Sequence, residues 1–142
     1  MAILSEKTWE RHANPWSGWS RVAIMPVLAA GLYSHNLWVL GVVILWAIIN
    51  PLVFSKPKRV DNWMSKGVLG EQLYFQDGKK IKRDLPTLLS IVNAPVFLGF
   101  LYFGWQKELL PLILSGLLTI VIKFWFIDRM VILYERGLIK DV

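Results

Sequence analysis

The sequence predicts an all-α polytopic membrane protein with four transmembrane helices arranged as two antiparallel hairpins, and three observations carry that expectation. Of 142 residues 55% are hydrophobic and eight are Trp, with a mean hydropathy of +0.46, outside the composition of soluble domains. The apolar residues are gathered into long runs, two on either side of a polar segment from Ser55 to Pro86. Basic residues collect at one end of those runs: of the 16 Lys and Arg, all but Lys107 and Lys123 fall on the side shared by the two termini and the central segment. That asymmetry sets orientation, so both termini are expected in the cytoplasm of a cell that holds the chain in its inner membrane.

The chain reads as one membrane domain, 1–142, in four stretches. Residues 1–18 hold Glu6, Lys7, Glu10, Arg11 and His12 without a continuous apolar core, which excludes a cleavable signal peptide. Ile3, Leu4 and Trp9 among these charges suit a short interfacial helix, with Trp16 and Trp19 as anchors at headgroup level. Residues 19–54 form the first hairpin. Its first span, from Trp19 to Ser34, is only about 24 Å long at 1.5 Å per residue and carries Pro26, which predicts a kink. Ser34, His35 and Asn36 turn the chain into Leu37 to Phe54.

Residues 55–86 form a basic loop. Within it Val60, Trp63, Met64, Val68, Leu69, Leu73 and Tyr74 recur at helical spacing, so an amphipathic helix on the inner membrane surface is expected. Lys79, Lys80, Lys82 and Arg83 follow an Asp77-Gly78 turn and are expected to face anionic lipid. Residues 87–142 form the second hairpin: Thr87 to Trp105 with Pro95 inside it, a turn at Gln106 to Glu108, then Leu109 to Ile127, continuing as a last helix that protrudes from the bilayer.

The two halves show a weak tandem correspondence. Pro26-Val27 and Leu32-Tyr33 recur as Pro95-Val96 and Leu101-Tyr102, and Lys66-Gly67-Val68-Leu69 recurs as Arg136-Gly137-Leu138-Ile139. Halves with an even number of spans would be parallel, related by an axis along the membrane normal; chance recurrence of common span residues is the competing explanation.

Counting from the outer turns places Arg21, Asn50, Ser90 and Lys123 at one depth, about 20 Å from the outer surface. Four polar groups at one level, two cationic and none acidic, suit a pocket for a phosphate, a carboxylate or a lipid headgroup. Two plainer readings compete: a snorkelling Lys123, and internal pairing in which Asp128 or Glu135 reaches back to Arg21 or Lys123. Asn14, Asn50 and Asn93 each stand beside or near a proline, where an amide can satisfy the carbonyl that the proline leaves unpaired or can contact a ligand. A second candidate set, His12 with Asp61, Glu71, Asp128 and Glu135, would form a cytoplasmic polar cluster and gives the best opening for an enzyme. The competing reading of Asp128, Glu135, Arg129 and Arg136 is a solvated, salt-bridged helix face.

No metal or cofactor is expected. Cysteine is absent, which excludes disulfides, thiolate metal sites and iron-sulfur clusters within the chain. His12 and His35 lie at opposite ends of a span and cannot share a metal within one monomer. The excess of +6 flanks apolar runs instead of lining a soluble face, so nucleic acid is not an expected partner.

At HANPWSGWSRV (from His12), DNWMSKGVLGEQLY (from Asp61) and DRMVILYERG (from Asp128) the chain resembles an uncharacterised family of small prokaryotic integral membrane proteins. The resemblance implies a membrane-embedded helical protein and supplies no activity, so no catalytic residue carries over. Four short spans also invite comparison with small multidrug exporters, but the acidic residue that such exporters place inside the first span is missing here. The expected function is binding of an anionic ligand, an anionic membrane lipid or a membrane-protein partner at the cytoplasmic leaflet, with self-association. A small oligomeric transporter or channel comes next, and a membrane-surface enzyme built on His12 third.

Overall fold

The computed structural model describes residues 5–76 and 84–140, which form six α-helices and no strand. They are α1 (Glu6–His12), α2 (Pro15–Tyr33), α3 (Leu37–Val53), α4 (Trp63–Gln76), α5 (Leu85–Trp105) and α6 (Leu109–Lys140). The expectations for Ile3, Leu4, the Asp77-Gly78 turn and the Lys79 to Arg83 cations fall outside the described residues.

Helix starts follow capping chemistry. The side chains of Asn14, Asn36 and Asp84 accept backbone N–H groups of Trp16, Trp38 and Thr87, satisfying donors that a helix start leaves without partners. Because Asn14 caps and Pro15 opens α2, that helix begins four residues before the expected Trp19 and has 19 residues, about 28 Å. The two hairpin turns are alike. His35 and Lys107 take left-handed φ angles of 53° and 60°. Asn36 N–H then reaches back to Gly31 O at 2.9 Å, and Glu108 N–H to Phe103 O at 3.0 Å. His35 joins the turns: its Nε2–H donates to Trp105 O at 2.7 Å, and its ring stacks on Trp105 at 4.2 Å.

α6 is the spine, about 48 Å long. Its first half packs against α5, where Phe100, Leu112 and Leu32 of α2 form one core cluster. Its second half packs against α4 through Met64, Ile122, Phe126, Ile127, Met130 and Val131, joined by Leu89 of α5. The amphipathic helix expected within 55–86 is present as α4, and its apolar face meets α6. α4 turns Met64 and Val68 into the protein, because Gly67 and Gly70, three residues apart, strip side chains from one face and let the backbone of α6 approach at Ile127 and Met130.

Among the described residues two helices, not the expected four, are long and apolar enough to cross a membrane: α5, and α6 from Leu109 to Gly137. α3 is apolar but has 17 residues, about 25 Å. α2 carries Ser17, Ser20 and Arg21 near its start, which dilutes its apolarity.

Candidate functional site

A polar seam joins α1, α2 and α3 where they meet α4 and α6. Its centre is Asn50, fully buried. The Asn50 carbonyl oxygen accepts from Arg21 Nε at 3.2 Å and from Ser17 Oγ at 2.5 Å, while Asn50 Nδ2 donates to Ser20 Oγ at 2.8 Å. Ser20 Oγ in turn donates to Ser17 O at 3.0 Å. Arg21 Nε is donor only, so it fixes which end of the Asn50 amide faces it.

The bonding then dictates a tautomer. The single hydroxyl proton of Ser17 is committed to Asn50, so Ser17 Oγ must accept from His12 Nδ1, 3.0 Å away. His12 therefore carries its proton on Nδ1 and leaves Nε2 as a bare acceptor with no partner among the described residues. Burial, and then the positive charges of Arg21 and Lys123, push the His12 pKa down to about 4, so the ring is neutral at pH 7. Ser65 Oγ donates to Ala13 O and Asn14 Nδ2 donates to Ser55 O at 2.9 Å, which tie the α1–α2 junction to its neighbours.

His12 and Arg21 open onto a cavity of about 200 Å³ whose other walls are Met64, Val68 and Glu71 of α4 and Thr119, Ile120 and Lys123 of α6. Lys123 Nζ lies 3.7 Å from Glu71 Oε1 and 4.6 Å from the centre of the Phe126 ring. Thr119 is 7% exposed, and its hydroxyl has no hydrogen-bond partner among the described residues. The cavity thus holds two cations, one carboxylate, a neutral imidazole with a bare nitrogen and an unused hydroxyl. That donor set suits an oxyanion that also bears a hydrogen-bond donor.

Of the four residues expected at one depth, the structure bonds Arg21 to Asn50 and sets Lys123 across the cavity from Arg21. Ser90 does not join them. It lines a separate cavity of about 280 Å³ between α5 and α6, with Asn93 and the other flank of Lys123. There Asn93 Oδ1 is buried without a partner and Asn93 Nδ2 donates to no carbonyl among the described residues, so this amide does not repair the helix at Pro95. Nor does Asn50 repair the helix at Pro51, since its side chain is spent on α2.

Glu71, expected in the cytoplasmic polar cluster, joins this level: α4 docks along α6 and brings its carboxylate to Lys123. Asp128 and Glu135 do not reach back to Arg21 or Lys123: Asp128 pairs with Arg129 at 3.0 Å and Glu135 with Lys66 at 2.8 Å. The set His12, Asp61, Glu71, Asp128 and Glu135 is therefore dispersed, with only His12 and Glu71 on one cavity. No group of three or more His, Asp or Glu able to hold a metal occurs among the described residues. Sequence reasoning missed Ser17, Ser20 and Thr119. Their signal was helical spacing: Ser17 and Thr119 stand four residues before Arg21 and Lys123, and Ser20 stands three after Ser17.

These features define an all-α chain that carries two helices able to cross a membrane and, where the shorter helices meet them, a buried polar seam opening on a charged cavity. The chain belongs to a family of unknown function, DUF6653, whose model matches residues 2–139. No curated protein and no solved structure matches it.

Proposed function

We propose that the chain is a four-span integral membrane protein with both termini in the cytoplasm, and that it binds an anionic headgroup in the cavity between α2, α4 and α6. α2 and α3 complete the spans by pairing: Asn50, Ser17, Ser20 and Arg21 satisfy one another, which lowers the cost of carrying them into the bilayer. The side chains of the two long apolar helices support a lipid setting. Only 17% and 33% of their most apolar stretches are buried, whereas the core helix of a soluble protein is mostly buried.

The observation that carries the binding reading is that Arg21 and Lys123, from different helices, wall one cavity with a single carboxylate between them. With His12 neutral, the side chains sum to one positive charge. The test is retention of anionic against zwitterionic lipid by the purified protein. Arg21→Met with Lys123→Met is expected to erase the preference while the unfolding temperature stays within a few degrees. A large loss of stability with the preference intact would show that the two cations serve folding alone.

A second reading follows from the bare Nε2 of His12: a membrane-surface enzyme in which this nitrogen takes the proton of the bound lipid's headgroup hydroxyl as that oxygen attacks the phosphorus of a second phosphodiester, and returns it to the alcohol oxygen that leaves. Conversion of phosphatidylglycerol in vesicles, abolished by His12→Gln, would favour it.

A further inference from the structure

The headgroup cavity does not end at its polar walls. A second cavity, about 370 Å³, runs between α2 and the outer half of α6 and is lined almost wholly by apolar atoms, among them Pro26, Ala30, Tyr33, Ile113 and Leu117. Met25 and Ile120 line both cavities, so the two adjoin at these side chains and lie end to end as a groove along α2 and α6. Along α2 the groove extends from Arg21 to Tyr33, about 18 Å. It is charged at one end and apolar for the rest, in the direction that a lipid crosses one leaflet.

We infer that this groove holds a single phospholipid whose phosphodiester lies between Arg21 and Lys123, whose headgroup hydroxyl donates to His12 Nε2, and one of whose acyl chains runs outward between α2 and α6. The inference rests on the headgroup reading above and names its ligand. The match is chemical at each station. Two cations against one carboxylate leave one positive charge, which a phosphodiester balances; a phosphomonoester would overfill it. The Thr119 hydroxyl, buried and without a partner among the described residues, supplies a donor to the phosphate. A bare imidazole nitrogen asks for a donor, which a glycerol headgroup has and a choline headgroup lacks. The apolar stretch has the length and composition for an alkyl chain and offers it no polar contact.

Phosphatidylglycerol and phosphatidylcholine, each with long or six-carbon chains, are titrated against the protein in detergent, and bound lipid is counted by native mass spectrometry. The intact protein is expected to prefer phosphatidylglycerol and, within it, the long-chain form. Ala30→Phe, which fills the groove from an exposed position on α2, is expected to lower retention of the long-chain form about ten-fold or more, as loss of a few buried methylenes requires. It should leave the headgroup preference in place. Ala47→Phe, on the exposed face of α3 away from the groove, should change neither.

If Ala30→Phe leaves chain-length dependence unaltered, or if Ala47→Phe lowers binding as much, the groove is not the chain's path and the inference falls. If instead Arg21→Met with Lys123→Met keeps the headgroup preference, the headgroup reading falls and takes this inference with it. Equal retention of the two headgroups by the intact protein overturns both.

Discussion

Asn50 shows how much one amide can organise. It is buried and bonded to three residues of α2, so Asn50→Ala would strand Ser17, Ser20 and Arg21 together. A loss of about 2–3 kcal/mol is expected, read as a lower unfolding temperature in detergent, while Asn36→Ala, which removes only a surface cap, should cost about 1 kcal/mol. His12 adds a pH dependence. Its pKa falls from the ordinary 6.5 to about 4 on folding, so between those values the unfolded chain binds more protons. The stability tied to a neutral His12 is complete above pH 6.5 and is lost as the pH drops toward 4, by up to about 3 kcal/mol. Melting curves over that range should show the slope, and His12→Gln should flatten it. The residue scale was only partly legible in the sequence. Arg21, Asn50 and Lys123 stand out because charge and amide are rare in apolar runs. Ser17, Ser20 and Thr119 do not, since a hydroxyl in a helix bonds its own backbone as readily as a neighbour.

At the scale of elements, the hairpin turns were the legible part: they fall where the apolar runs break, and α3 and α6 begin at the expected Leu37 and Leu109. α2 and α5 begin before the expected Trp19 and Thr87, where Asn14-Pro15 and Asp84 cap them. The α4–α6 contact was not legible, because the stripe of Met64 and Val68 suits a membrane surface and a protein surface equally well. Periodicity finds an apolar face without saying what covers it. Gly67 and Gly70 held the missing information. A methyl group on Gly70 would run into the Met130 carbonyl, which is backbone and cannot move aside, and one on Gly67 would meet Ile127 Cγ2, a methyl fixed on Cβ that moves only with the stiff χ1 of a β-branched residue. Gly70→Ala is therefore expected to undock α4, with hydrogen exchange rising along 63–76 and Lys123 losing Glu71 as its partner. Gly67→Ala should disturb the same contact, whereas Gly41→Ala, where an added methyl meets nothing within 4 Å, should do much less; equal effects from Gly70→Ala and Gly41→Ala would contradict the packing. The tandem correspondence fares unevenly. The two turns match in hydrogen bonding but at positions 72 apart, His35 against Lys107, where the sequence pairs Tyr33 with Tyr102 at 69. Tyr102 thus sits one helical turn farther from its turn than Tyr33 does.

Across the whole molecule the governing fact is an inverted surface. Trp38 is 88% exposed, and α3, α5 and α6 present Ile48, Leu98, Leu110 and Leu114 outward in the same way. Water would drive such faces together, and a bilayer would leave them where they are. The polar groups are arranged to match: the seam, the charged cavity and the α4–α6 pairing lie at the end of the bundle away from the His35 and Lys107 turns. The chain has no cysteine, so single introduced cysteines report topology without background. Lys107→Cys in intact cells should react with a membrane-impermeant maleimide from outside, and Lys56→Cys only after the membrane is opened. The reverse pattern would invert the orientation and put the cavity in the outer leaflet. Labelling of both in intact cells would mean that α2 and α3, which fall short of spanning by apolarity and by length respectively, do not cross together, and Arg21 and Asn50 would then face water instead of a headgroup.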